Sequence, residues 1–421
     1  MPSHRISLLA AFLTTAPAVA WAGAPGPITF DDALGLARQV PRVVAAARAV
    51  TEKVELDRHI SSAPYNPQLS AQPGWRFQPR DARQPEVIVE VLQPWNLSGY
   101  ADARRRTVVV EEDVMRAEAR ASALAARLGA ARAWIDLWAA ERVVEEVRRE
   151  ESIARELERL VARAAALGAM TRADVAEASA YHAEARIAVL AAEGEVFQRG
   201  LALARELADT NAQPLHTAGE LPSPAVPADQ RSAEYLDRLG ALPAVTLREL
   251  QARAAQARQL EEQAARGTFA QLGAVLQRDA PGGLVVSGLA RVTIPIFDHG
   301  ERERAGMRAE TARLEGEQRD AMIAARVEVA VSFHEVSHSA EVLAVLRDDL
   351  APASRQAAET RRLIFERGGA TLLEVLQSDR AAVAAASRLC RLQAEHAWAR
   401  TKLWLLLAEV TLAASNGGGG S

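Results

Sequence analysis

The chain has 421 residues and a formal net charge of −4, with 25% charged and 49% hydrophobic residues. This balance excludes an intrinsically disordered chain and a strongly basic nucleic-acid-binding protein. Because alanine, the strongest helix former, is abundant and aromatic residues make up only 5%, we expect a mainly helical fold with closely packed helices.

The N-terminal segment has the features of a secretory signal peptide, predicted over residues 1–22. A short basic region precedes an apolar stretch at 6–19, which is too short for a comfortable membrane-spanning helix. Residues 20–22 read Ala-Trp-Ala, an A-x-A cleavage site, so the mature chain is expected to begin near Gly23. No later run approaches 18 apolar residues, so we expect no membrane-spanning helix.

Three short motifs occur twice, at spacings of 202, 201 and 200 residues. The pairs are PRV at 41–43 with PAV at 243–245, LQPWNLSG at 92–99 with TIPIFDHG at 293–300, and GAMTRADV at 168–175 with GGATLLEV at 368–375. Collinear matches at nearly constant spacing indicate an internal duplication.

The duplication predicts two structural repeats, at residues 23–212 and 232–414. Between them, residues 213–231 form a proline-rich linker. The glycine-rich end, residues 415–421, is expected to be a flexible tail outside the fold.

Each repeat is predicted to contain the same elements in the same order. A first helix, at 30–60 and 233–266, precedes two strands whose apolar residues alternate. The strands are expected at 66–78 and 85–97 in one repeat, and at 268–278 and 284–297 in the other. A helix on the order of 100 Å follows, at 99–168 and 300–368. A glycine-containing turn then leads to a return helix, at 172–209 and 372–413.

The four predicted strands are long enough to cross an outer membrane, where strands have about ten residues. An open sheet of four strands cannot lie in lipid, because lipid cannot hydrogen-bond the N–H and C=O groups of its edges. The chain is therefore expected to combine its strands with those of other copies.

With its two strand-to-helix motifs, its two glycine turns and its duplicated architecture, the chain resembles the TolC-like outer-membrane efflux channels. The segment YNPQLSAQPGW, at 65–75, is similar to the first strand of the heavy-metal efflux subgroup. The resemblance implies a mainly α protein with long coiled-coil-like hairpins and four transmembrane strands per chain. It also implies a homotrimer with a 12-stranded barrel and an α-helical tunnel.

The resemblance further implies a passive exit duct for a tripartite efflux or type I secretion system, working with a periplasmic adaptor and an inner-membrane pump. No enzymatic activity, cofactor or nucleic-acid partner is expected. The duct would lie in the outer membrane of a Gram-negative bacterium and extend into the periplasm. The alternative is a periplasmic helical scaffold without a pore, which would have no use for four strands of membrane-spanning length.

The two glycine turns are candidate adaptor-binding tips, by resemblance to the family. The tip residues are Leu167, Gly168, Thr171, Gly368, Gly369 and Thr371. Small residues would let another helical hairpin approach closely. The alternative is a plain helix reversal, in which glycine supplies a positive φ; both interpretations can hold together.

Asp174 and Glu374 each follow a tip glycine by six residues, where the resemblance implies a ring of acids at the periplasmic aperture. The alternative is an ordinary acidic residue stabilised at a helix N-terminus. Gln377 occupies the position of a second acid in the family, which argues against a strong acidic gate.

Trp75 and Trp95 lie near predicted strand ends. They could form an aromatic girdle at the lipid interface, or pack where the barrel meets the helices. The sequence leaves both interpretations open.

Residues 334–338, HEVSH, fit the H-E-x-x-H zinc motif. At a spacing of 200, His334 and His338 align with Trp134 and Trp138, which predicts packing positions on a long helix instead. No metal site is expected here. The single cysteine, Cys390, excludes an intrachain disulfide and is expected to be a small buried residue.

Overall fold

The computed structural model describes residues 26–60, 65–76, 84–228, 232–279, 283–294 and 300–417. The predicted signal peptide, residues 295–299 of the second strand-to-helix motif, and residues 418–421 of the tail lie outside these ranges. The helices are α1 (Phe30–Ala37), α2 (Pro41–Ile60), α3 (Tyr100–Ala166), α4 (Arg172–Glu206), α5 (Ser232–Leu236), α6 (Pro243–Ala265), α7 (Glu301–Val345), α8 (Ala351–Glu366) and α9 (Leu372–Gly417). The strands are β1 (Ile28–Thr29), β2 (Gln68–Arg76), β3 (Gln84–Asn96), β4 (Thr217–Ala218), β5 (Phe269–Asp279) and β6 (Gly283–Thr293).

Prolines divide the first helix of each half, so the prediction of single helices at 30–60 and 233–266 is wrong. Pro41 and Pro243 each occupy the first position of a new helix, α2 and α6. Proline is favoured there because its missing N–H would have no helical partner and its fixed φ already suits a helix. The preceding residues form short turns instead of continuing the helix.

The long helix of the first half is α3, with 67 residues and a length of about 100 Å. In the second half, α7 and α8 are joined by a π-helical turn at Leu346–Leu350. The turn ends two residues before Pro352, and the N–H of Ala351 donates to the carbonyl of Leu346, five residues back. A widened turn accommodates the proline, whose ring would clash with the preceding turn of a regular α-helix.

α3 packs against α4, α6 and α9, and α7 packs against α6 and α9, so the two halves share one helical layer. Buried apolar clusters lie along its length, one around Trp134 and another around Phe333. A third cluster joins both hairpins near their turns, with Leu157, Phe365 and Leu376 among its members. Within the described residues, none of the helices combines the length and the hydropathy that crossing a membrane requires.

The main sheet has the order β2-β3-β5-β6, with every neighbouring pair antiparallel. The pairing of β3 with β5 joins the two halves. A second, two-stranded parallel ribbon pairs β1 with β4, which lies in the predicted linker. Trp134 holds this ribbon, because its indole Nε1–H donates to the Ile28 carbonyl at 2.8 Å.

Candidate functional site

The four-stranded sheet has one face that is almost entirely apolar. Side chains alternate along each strand, and the register brings the same face together across the sheet. At one level Ala71 lies opposite Val89, Val89 opposite Leu276, and Leu276 opposite Val286. The large exposed side chains on this face are Leu69, Trp75, Val87, Val91, Trp95, Leu272, Leu276, Leu284, Val286 and Val292. Gln93 and Arg278 are the polar exceptions on this face.

These apolar side chains are open to the surroundings. Leu69 is 74% exposed, Val286 68% and Trp75 63%. Soluble monomers rarely expose a contiguous apolar surface of this size, because removing it from water is strongly favourable. The face therefore requires a cover, and a lipid bilayer is one that fits a sheet of this pattern.

The opposite face of the same sheet is largely polar and forms hydrogen bonds between strands. Gln277 Nε2–H donates to Glu86 at 2.6 Å, and Gln271 Nε2–H donates to Gln68 at 3.3 Å. Arg291 in turn donates to Gln271 at 3.3 Å. A sheet that is apolar on one side and polar on the other is typical of a barrel with a lipid-facing outside and a wet interior.

Trp75 and Trp95 lie on the apolar face, at its two ends. Trp75 is opposite Pro85 at the hairpin end of the sheet, and Trp95 is opposite Ala270 at the end next to the helices. The ten residue steps from Pro85 to Trp95 span about 34 Å along the strand. If the strands are tilted by about 45° from the membrane normal, this length corresponds to a height of about 24 Å along that normal. The apolar band of outer-membrane barrels has a similar height.

The LQPWNLSG motif makes the junction between sheet and helix. Asn96 Oδ1 accepts from the Ser98 N–H at 2.7 Å, and Asn96 Nδ2–H donates to the Ala264 carbonyl at 2.7 Å. Gly99 then begins α3 with a φ of 76°, a left-handed conformation that suits glycine. Gly300 begins α7 in the same way, with a φ of 72°.

An aromatic cluster, which the sequence did not reveal, lies at this junction. Tyr65 stacks on Tyr100 with ring centroids 5.6 Å apart, and it meets Phe269 edge-on at 5.2 Å. These rings join the segment that leads into β2, the start of α3 and the start of β5. Their positions, far apart in the sequence, carry no shared pattern.

Both hairpin turns have the same construction. Gly168 has a φ of 80° and Gly368 a φ of 77°, and a Cβ at either position would meet nothing within 4 Å. Thr171 caps α4, and Thr371 caps α9 in the corresponding way, because its hydroxyl accepts from the Glu374 N–H. At the first turn Leu167 is 87% exposed, which is unusual for so large an apolar side chain. At the second turn, the backbone N–H of Gly369 donates to the Ile364 carbonyl at 2.9 Å.

The two candidate aperture acids take part in capping boxes. The Asp174 carboxylate accepts from the Thr171 N–H at 2.8 Å, and the Glu374 carboxylate accepts from the Thr371 N–H at 2.9 Å. The backbone N–H and the hydroxyl of each threonine lower the pKa of its partner carboxyl. Glu374 also lies 3.1 Å from Arg361, and Gln377 is exposed one turn further on. Helix capping thus accounts for both acids within one chain.

The predicted packing equivalence of His334 with Trp134 is wrong. Trp134 is fully buried, whereas His334 and His338 are exposed and stack on each other with ring centroids 5.5 Å apart. The buried ring of the second half is Phe333, one position earlier. The one-residue difference shows that the repeats do not keep a strict spacing of 200 here.

His334→Ala combined with His338→Ala is expected to leave metal content and export unchanged. In the part of the chain that the structure describes, no three His, Cys, Asp or Glu side chains are grouped to hold a metal ion. Two exposed histidines offer half of a tetrahedral zinc site. Metal analysis of the purified protein tests this, and stoichiometric zinc that disappears in the double variant would contradict it.

Comparison with known proteins gives structural matches over nearly the whole chain. No protein-family model matches the sequence, and no curated protein matches it. The outer-membrane channel OprN matches with a TM-score of 0.76 at 16% identity, covering 90% of this chain and 89% of that chain. The chain has the fold of the TolC-like outer-membrane channels. The predicted fold class is therefore confirmed for the single chain.

Two further channels support the same fold. The CmeC outer-membrane channel of Campylobacter jejuni matches with a TM-score of 0.70 at 12% identity, covering 92% of this chain and 88% of that chain. The MtrE outer-membrane channel of Neisseria gonorrhoeae matches with a TM-score of 0.67 at 16% identity, covering 90% and 88%. At these identities the similarity establishes the fold.

Proposed function

We propose that this chain is one subunit of a homotrimeric outer-membrane channel, the passive exit duct of a tripartite efflux or type I secretion system. The observation that carries the proposal is the apolar sheet face with tryptophans at its two ends. In a bilayer this face would contact lipid, and the polar face would line the lumen. The protein would then lie in the outer membrane of a Gram-negative bacterium, after export directed by residues 1–22.

The sheet edges support assembly with other copies. Among the described strands, β2 pairs with β3 alone and β6 pairs with β5 alone. Their outer N–H and C=O groups would be unsatisfied in lipid, which is prohibitively costly, so the sheet must close. Three copies supply 4 × 3 = 12 strands, the number that the TolC-like resemblance implies.

The helices also expose apolar stripes that a trimer would cover. On α4, Ile187, Leu190 and Phe197 recur at helical spacing and are more than half exposed. On α7, Ile323, Val327 and Val331 recur at helical spacing on one face and are 61%, 57% and 44% exposed. Contacts between copies along these stripes would continue the barrel as a helical tunnel across the periplasm, with the repeats 23–212 and 232–414 as its units.

The hairpin tips are the proposed docking points for a periplasmic adaptor, which would connect the duct to an inner-membrane pump. Leu167 supplies exposed apolar surface at the first tip, and the glycines leave space for an approaching helix. The pump would supply energy and select the substrate, so the duct itself would perform no catalysis and need no cofactor. The heavy-metal subgroup expected from residues 65–75 stays a prediction.

The proposal predicts a detergent-extracted trimer from the outer-membrane fraction. Closing the sheet satisfies its edges, so the subunits should remain associated in mild detergent. Membrane fractionation followed by mass measurement of the purified, detergent-solubilised protein tests this. Recovery of the mature chain as a stable, water-soluble monomer would favour the periplasmic scaffold instead.

A further inference from the structure

Two buried carboxyl groups lie on α3 and α9 where the two helical hairpins pack together, each about one turn from a shared apolar cluster that contains Ala154, Val375 and Leu376. Glu150 of α3 is 8% exposed and Asp379 of α9 is 1% exposed. Arg362 Nε of α8 lies 3.0 Å from Asp379 Oδ1, close enough for an ion pair. Neither Asp379 oxygen accepts a hydrogen bond from the described residues. Such a group needs an explanation, because a buried carboxylate without donors is costly.

The charged side chains around Glu150 and Asp379 do not neutralise both carboxylates. From α4, Glu184 pairs with Arg380 of α9 at 2.6 Å. The same arginine lies over the ring of Tyr181, whose hydroxyl is buried without a hydrogen-bond partner among the described residues. Arg362 and Arg380 both act to lower the pKa of Glu150, but Arg380 is also paired with Glu184, and among the described residues Arg362 alone pairs with Asp379.

The remaining neighbours are apolar. Leu157, Phe365, Val375 and Leu376 pack in the same region, where a hydrophobic pair would fill the core without a desolvation cost. Burial and the nearby charge of Asp379 raise the pKa of Glu150 to about 7. Burial also raises the pKa of Asp379.

We propose that Glu150 and Asp379 form a proton-operated latch between the hairpin α3–α4 and the hairpin α8–α9. With one carboxyl protonated, a single negative charge faces Arg362 and the helices close together. With both ionised, the uncompensated charge repels α3 from α9 and draws water between them. A groove of about 400 Å³ between α3 and α8, lined in part by Arg362, gives water a route to this region.

The direction of the pH effect follows from proton binding. The folded latch holds a proton that glutamate in an unfolded chain releases near its ordinary pKa of 4.5. Packing between the hairpins is therefore strongest at low pH and weakens as the pH rises through about 7. Asp379 is seven residues beyond the start of α9, about 11 Å along the helix from the turn. If the proposed function holds, the latch lies near the periplasmic mouth.

The distance between the hairpins at different pH tests the latch. Spin labels would be attached to cysteines introduced by Ala166→Cys and Arg367→Cys, at the exposed ends of the two hairpins. Cys390→Ala would remove the single native cysteine, so that only these two positions are labelled. Labelled chains are diluted with unlabelled ones, so that pairs within one chain dominate. Between about pH 5 and about pH 8.5 we expect the distance distribution to lengthen and broaden. Glu150→Gln, which mimics the protonated acid, should keep the short distance at both pH values.

Two control variants separate the latch from other charges. Glu145→Gln changes an exposed acid on the same helix, paired with Arg142 at 2.9 Å. His182→Gln changes a group that bridges Glu151 at 2.9 Å and Glu158 at 2.7 Å within the first hairpin alone. Both should keep the pH-dependent lengthening, and Asp379→Asn should remove it.

The proposal would be overturned if the distance between the labels did not change with pH in the chain that keeps both Glu150 and Asp379. It would also be overturned if the pH-dependent lengthening persisted in Glu150→Gln. The labels report on one chain, so the result does not depend on whether the protein forms a pore. A pH-dependent distance in a protein that fails to trimerise would contradict the proposed function and leave the latch standing.

Discussion

Val286→Arg is expected to prevent the trimer from assembling in the outer membrane. Val286 lies near the middle of the apolar sheet face, opposite Leu276, and is 68% exposed. Arginine on the lipid face of a barrel costs about 2–4 kcal/mol near the bilayer midplane. A trimer would carry this cost three times. Trimer in the outer-membrane fraction, measured against total protein, should fall strongly.

Val285→Arg is the matched control, because Val285 is the adjacent residue of the same strand and points to the other face. Gln277 lies opposite Val285 on β5 and Ser287 lies two residues along its own strand, and both polar side chains suit a wet lumen. This variant should assemble at close to the normal level. Equal loss of both variants would indicate a general folding defect, and equal tolerance of both would contradict a lipid-facing sheet.

The sheet could be predicted because apolar side chains occupy every second position of β3 and the strands pair in register. Val87, Val89 and Val91 recur at every second position of the sequence, which predicts that they share one face, and the register confirms it. Successive side chains of a strand point to opposite faces of the sheet, so residues two positions apart share a face. The sides of β6 were harder to assign, because Val285 and Val286 are both apolar and only the register separates them.

The helical features that were missed depend on contacts that leave no periodic signal. Pro41 could be recognised as a possible helix start, but whether it divides a helix depends on the turn before it. Two-residue strands such as β1 and β4 are too short for any pattern. The glycine turns were predictable, because a positive φ selects for glycine at a fixed position before each return helix.

The buried acids show a second reason why part of the structure could not be predicted from the sequence. Glu150, Arg362 and Asp379 come from three different helices, and no spacing in the sequence links them. A charged residue on a long amphipathic helix is usually on the solvated face, so Glu150 gave no signal. The packing of the two hairpins against each other is what buries it.

Gly168→Trp combined with Gly368→Trp is expected to abolish export while leaving the trimer in place. A Cβ at either glycine would meet nothing within 4 Å, so an indole built on it would start from open space at the tip. An adaptor hairpin could then no longer approach. The sheet and the helical core lie far from the turns, so assembly should be unaffected. Trimer in the outer membrane and export of a known pump substrate are measured together.

Gly168→Ala combined with Gly368→Ala is the control, because both double variants force an L side chain into the left-handed region. Each such residue costs on the order of 1–2 kcal/mol in backbone strain. Alanine carries that strain without the bulk, so its export should remain near normal if the tips are docking surfaces. Equal loss of export in both would mean that strain in the turns, and not bulk, is responsible. Normal export from the double Trp variant, with a normal trimer level, would show that the turns serve only to reverse the helices. Two indoles on a docking surface would be expected to disturb adaptor binding.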